Sequence, residues 1–200
     1  MTIKNFGSRV ESVWQGLRPV TKKMLVGAFE TGNAKTNRTF SYDAHADWEL
    51  SRLLSVLDEQ AISNEVKDDT EKLREIKQFT GTIARVLETQ TASAEVFIQL
   101  AKRAITRNDY KKLDELGEIL MNRFSAGEIA EIIRQTDMPQ IRAIAYETLS
   151  LLPTSAIAAI IDDSIYTEIA VNALEQQAFE YDSEEAKEFL EQLNLDEIGE

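Results

Sequence analysis

The chain has no cysteine, one histidine, three prolines and eight glycines among 200 residues. Without cysteine there is no disulfide framework, no thiolate nucleophile and no thiolate ligand for a metal. A single histidine leaves the usual catalytic bases nearly absent. Glycine-rich phosphate loops, histidine-bearing metalloprotease motifs, calcium-loop spacing and catalytic triads are all missing from the sequence. No apolar run approaches the roughly 20 residues that a membrane-spanning helix needs. Residues 1–5 lack the apolar core and small-residue cleavage site of a signal peptide. These absences lead us to expect a cytoplasmic, non-enzymatic protein without cofactor, bound metal or membrane contact.

Basic residues are also scarce, with 22 Lys and Arg against 35 Asp and Glu, a net charge of −13. The imbalance is uneven. Residues 1–40 carry seven bases against Glu11 and Glu30, a net +5, whereas residues 161–200 carry thirteen acids against Lys187 alone, a net −12. Direct nucleic-acid binding is not expected, because phosphate contact needs clustered Lys and Arg. The acidic run Glu180, Asp182, Glu184, Glu185, Glu188 and Glu191 reads either as a solvated helical face or as a docking surface for a basic protein partner. Opposite charge at the two ends also allows head-to-tail self-association.

What the sequence has in quantity is helical periodicity. Val10, Val13, Trp14 and Leu17 recur at i, i+3, i+4 and i+7, one apolar stripe. Pro19 interrupts it, and a second helix is predicted over residues 20–29 with Met24, Leu25 and Ala28 inward. Residues 31–42 are polar, rich in helix breakers and without period, so they read as a long loop. Phe40 and Tyr42 within it are either recognition aromatics or side chains tucked back onto the domain. Asp43 is a good N-cap for a helix with Ala46, Leu50, Leu53, Leu54 and Leu57 on one side. A long helix is predicted over residues 65–89 and another after Ser93. Asp182 and Ser183 are placed to cap the last helix, which is expected to fray after Leu193.

The second half repeats itself. Residues 127–133 (GEIAEII) are echoed by residues 155–161 (SAIAAII). Asp109, Asp137 and Asp162, spaced 28 and 25 residues apart, each precede an apolar series at the same offsets. In each unit an Asp is placed to cap the first helix. A small residue (Gly117, Ala145 or Ala170) allows close approach, and Ile129, Ile132 and Ile133, or Ile157, Ile160 and Ile161, fill the space between helices. A unit repeated at so short a spacing cannot bury its apolar face alone and must stack on its neighbours.

Residues 137–149, followed by Ala156, Ile160 and Ile161, resemble a HEAT-like repeat of the short kind named after phycobilisome lyases. The Asp before the first helix, the Ile141–Arg142 pair and the alanines at close-packing positions carry the likeness, which extends over about residues 93–193. The resemblance implies an all-α fold of stacked antiparallel helical hairpins, a short α-solenoid over residues 91–195. A separate helical region, residues 1–90, precedes it. It also implies an Asp–Arg ladder down the stack, although only the central unit has its arginine, Arg142. Relatives of this type include bilin lyases, and repeat arrays are used as partner-holding scaffolds.

The remaining candidate sites are weak. His45 in the series Asp43, His45, Asp47 alternates with acids, but positions i, i+2 and i+4 of a helix do not project to one side, so a helix-surface reading is expected. Adjacent acids such as Asp162 and Asp163 also point apart. Trp14 and Trp48 are expected in helix packing. The leading expectation is therefore an interaction or scaffold module in a larger assembly. The alternatives are an acidic imitator of nucleic acid that inhibits a DNA- or RNA-binding protein, and a bilin lyase or related accessory protein.

Overall fold

Every regular element of the chain is a helix among the described residues, which in the computed structural model are 6–31 and 42–198. They belong to two compact units, Met1–Thr91 and Ala92–Glu200. Twelve helices are found among the described residues, and none is long and apolar enough to cross a membrane.

The first unit holds α1 (Ser8–Gly16), α2 (Pro19–Thr31), α3 (Ala44–Ala61), α4 (Asn64–Lys67) and α5 (Thr70–Gln90). Gly7 opens α1 at φ 113°, where a Cβ would also stand 3.2 Å from the Gln60 carboxamide, so the position favours glycine. Pro19 starts α2 at a position where its missing N–H leaves nothing unpaired. Asp43 caps α3, its carboxylate accepting the Ala46 N–H at 2.8 Å. The predicted stripe Ala46, Leu50, Leu53, Leu54 and Leu57 is buried throughout, and α3 packs on α1, α2, α4 and α5. At the centre is Phe79 of α5, whose ring lies 6.3 Å from Phe6, 6.0 Å from Trp14 and 5.7 Å from Phe29.

The helix expected over residues 65–89 is in fact two. It breaks at Asp68 and Asp69, where the Asp69 carboxylate accepts the Lys72 N–H at 3.0 Å and so restarts the chain as α5. A capping acid, which offers the backbone a partner outside the helix, decides this boundary. Gly81 sits inside α5 without interrupting it.

The second unit holds α6 (Ala94–Thr106), α7 (Tyr110–Arg123), α8 (Ala126–Gln135), α9 (Pro139–Ser150), α10 (Thr154–Ala158), α11 (Thr167–Phe179) and α12 (Glu184–Ile198). Here α6 packs on α7 and α8, α7 and α8 on α9, α9 and α10 on α11, and α11 on α12. Of the repeated isoleucines, Ile129, Ile132, Ile133, Ile157 and Ile161 are buried and Ile160 is half-buried. Ala145 and Ala170 are fully buried, and a Cβ on Gly117 would lie 3.7 Å from Ile144 of α9, at ordinary contact distance. The small residues therefore do sit where helices meet.

The equivalence of the echoes is incomplete. α8 runs ten residues, but its counterpart α10 runs five before turns take over. Of the three aspartates expected to cap, only Asp109 does so, accepting the Lys112 N–H at 3.1 Å. Asp137 is displaced from the cap by Pro139, which shifts the helix start so that Met138 occupies the N-cap. Asp162 stands ahead of a turn in which Asp163 accepts the Ile165 N–H, and α11 begins five residues later. Arg142 does not join an Asp–Arg ladder. Its guanidinium donates to the Thr136 carbonyl at 2.8 Å, closing the C-terminal end of α8. Ser93 makes no side-chain cap bond for α6, and the Ala94 N–H donates instead to Glu128 Oε2 at 3.1 Å. The last helix continues to Ile198 rather than fraying after Leu193.

Polar groups fasten the helix ends of this unit. Gln177 is buried, and its amide N–H groups donate to the carbonyls of Ser150 and Leu152 while its oxygen accepts from Thr154. Tyr166 donates to Glu131 at 3.0 Å, and Arg134 holds the same carboxyl down to about 2, the Gln135 and Tyr166 bonds adding to its effect.

Candidate interaction surfaces

Three places combine exposure with chemistry, and the first is the start of α3. Phe40 and most of the loop expected at residues 31–42 lie outside the described residues. Tyr42 is half-buried, and its hydroxyl donates to Asp47 at 2.5 Å. Burial pushes the Asp47 carboxyl above its usual range, the bonds from Tyr42 and Thr91 acting against that rise. The Tyr42 hydroxyl is pushed far up by burial and by the same carboxylate. Tyr42 is thus a packed side chain with a satisfied hydroxyl rather than a free recognition aromatic.

The second place lies along α3 and α1. Arg18, between α1 and α2, grips Asp43 at 2.7 and 2.9 Å and donates its Nε–H to Glu49 at 3.1 Å. That grip holds the Asp43 carboxyl well below the usual carboxylate range. Glu49 is 1% exposed and also accepts the Arg18 backbone N–H and the Thr21 hydroxyl. Burial acts to raise its pKa, but these donors outweigh it and keep the group ionised below the ordinary value. Beside this network a cleft of about 70 Å³ opens, lined by Ser12, Val13, Gly16 and Leu17 on one side and by Trp48 and Arg52 on the other. Trp48 is 56% exposed, contrary to the packing role expected for it, because it lies off the leucine stripe of α3. The Arg52 guanidinium carbon lies 5.4 Å from the Trp48 ring centroid, and His45 meets the same ring edge-on. His45 is an exposed surface residue as expected. Among the described residues no group of three or more His, Asp or Glu is placed to hold a metal ion.

The third place is the corner between α11 and α12. Asp182 adopts φ 55°, and the Ser183 N–H reaches back to the Gln177 carbonyl at 3.0 Å, so α11 ends in a left-handed turn. Ser183 then accepts the Ala186 N–H and starts α12 at once. So tight a turn leaves no chain to cover the end of α11. Phe179 is 80% exposed and Tyr181 46%. The Ser150 hydroxyl bonds Gln176 Oε1 at 2.7 Å, which sets the C-terminal end of α9, with exposed Leu151, at the same end of the unit.

Of the six acids singled out from sequence, Glu180, Asp182, Glu184, Glu185, Glu188 and Glu191 are all exposed. Lys187 is drawn to Asp182 and Glu184, whose carboxylates raise its pKa to about 12. Among the described residues Glu180, Glu185, Glu188 and Glu191 have no basic partner. Sequence reasoning found these acids and missed the aromatics among them. The available signal was position: Phe179 directly follows the buried pair Gln177 and Ala178, so it falls outside the inward arc of α11. Comparison with protein families, curated proteins and solved structures finds no match to this chain.

Proposed function

We propose that the chain is a non-enzymatic protein-interaction module whose second unit is a short HEAT-like stack of helical hairpins. The order of helix contacts supports it, since α6 touches α8 while α7 touches α9 and α9 touches α11, as in a two-row stack. In this reading the corner between α11 and α12 is the docking surface, and its partner is a protein that offers a basic surface with an apolar anchor. The observation that carries it is the grouping of Phe179 and Tyr181 with carboxylates that have no basic partner among the described residues. Exposed aromatics rimmed by polar groups mark contact surfaces, because desolvating them supplies affinity while the charges select the partner.

A photo-crosslinking amino acid placed at position 181 of the full chain tests this reading in an extract of the native source. Mass spectrometry should recover one partner protein, crosslinked at a segment that carries Lys or Arg beside an apolar side chain, and Phe179→Glu should abolish its capture. Recovery of nothing above control, or capture indifferent to Phe179→Glu, would overturn the reading.

A further inference from the structure

Resting on that reading, we propose that the partner of the α11–α12 corner is a second copy of this chain, which, acidic overall at −13, presents the cation Arg52 at the cleft between α1 and α3. The two surfaces are complementary in three respects. Arg52 is exposed, lies over Trp48, and has no ion-pair partner among the described residues. Glu180 and Glu185 have none either, so each side offers the charge that the other leaves unmatched. Trp48 presents an exposed ring, and the corner presents Phe179 and Tyr181, so the apolar parts also correspond. Aromatic pairs contribute beyond the area they bury, and a tryptophan already faced by a guanidinium is a rigid platform for one.

The cleft fits one occupant better than another. Its volume of about 70 Å³ is far below the roughly 300–1,000 Å³ of small-molecule pockets, so it suits a single inserted side chain. Its lining also includes Glu49, whose carboxylate is already engaged by Arg18 and Thr21. A cationic ligand therefore gains little there, whereas an acidic segment meets Arg52 at the rim. Because the two surfaces differ, the contact is heterologous, and repetition produces rings or open chains rather than a closed two-fold dimer.

Sedimentation velocity on the full chain, from micromolar to near-millimolar concentration, tests the proposal. At low salt the average mass should rise with concentration, and at about 1 M salt, where the screening length is about 3 Å, association should weaken sharply. Trp48→Ala combined with Arg52→Glu removes the receiving surface, and Phe179→Ser combined with Glu180→Lys removes the inserting one. All four residues are exposed, and circular dichroism checks that each variant keeps its helices. Each double variant should be monomeric, with association at least about tenfold weaker. An equimolar mixture of the two should form a dimer and nothing larger, since only one intact pair of surfaces remains. A wild-type chain that stays monomeric throughout overturns the proposal, as does a mixture that fails to pair. If capture at position 181 instead yields a different protein, crosslinked at such a basic segment, the broader reading stands and self-association alone is lost.

Discussion

The two units bury apolar surface by different means. In the first, one ring joins three others: Phe79 meets Phe6, Trp14 and Phe29 from segments remote in sequence, while Arg18 ties Glu49 and Asp43 together. In the second, no single residue dominates. Buried isoleucines and alanines recur along neighbouring helices, and polar staples such as Gln177 secure the helix ends. The first design concentrates its vulnerability in a few side chains, whereas the second spreads it over many similar ones. Both tryptophans lie in the first unit, so their fluorescence follows that unit selectively.

The contrast can be broken most forcefully at its centre. Phe79→Ala should destabilise the first unit by about 3–5 kcal/mol, read as a lower denaturant midpoint in tryptophan fluorescence. A loss no greater than that of an isoleucine in the second unit, such as Ile132→Val at about 0.5–1.5 kcal/mol, would remove the distinction. Next in size, Glu49→Ala strips acceptors from the Arg18 N–H and the Thr21 hydroxyl, and about 2–3 kcal/mol should be lost by the same measurement. In the second unit Gln177→Ala leaves the Ser150 and Leu152 carbonyls without that donor, for about 1–2 kcal/mol in a circular-dichroism melt. Smallest is the cap: Asp109→Ala should reduce stability by about 1 kcal/mol. Asp162→Ala, which removes no cap, should stay within about 0.5 kcal/mol.

Acidity sharpens the comparison in another way. Glu131 has its pKa lowered to about 2, so its contribution to the second unit is present above the ordinary glutamate value and is lost as pH falls from there toward 2. Asp47 in the first unit behaves oppositely. Its pKa is raised, so its ionisation opposes folding as pH climbs above the usual aspartate value, and Asp47→Asn should flatten that part of the stability profile. Denaturant titrations across the acid range, with fluorescence for the first unit and circular dichroism for the whole chain, check both signs.

Periodicity was a sound guide wherever one face of a helix is buried. Leu50, Leu53, Leu54 and Leu57 are all fully buried, as the spacing required, because a stripe at 3.6-residue period has only one way to avoid water. It was a poor guide to endings. The break at Asp68 and Asp69 depends on a carboxylate turning back to its own backbone, and the shortened α10 gives way to turns that the repeated letters do not announce. The interaction surfaces were half legible. Acids are visible as charge, but the exposure of Trp48 and Phe179 follows from which neighbours fail to cover them, and that is a property of the assembled unit.

The Phe79 hub has a consequence for how the chain comes off the ribosome. Phe6, Trp14 and Phe29 are synthesised well before the ring that they surround. At about 5–20 residues per second, the stretch separating Phe29 from Phe79 takes on the order of several seconds to translate. Throughout that interval α1 and α2 have only α3 to pack on, and Phe6, Trp14 and Phe29 still lack the ring that joins them, an invitation to chaperones that the more locally assembled second unit does not extend.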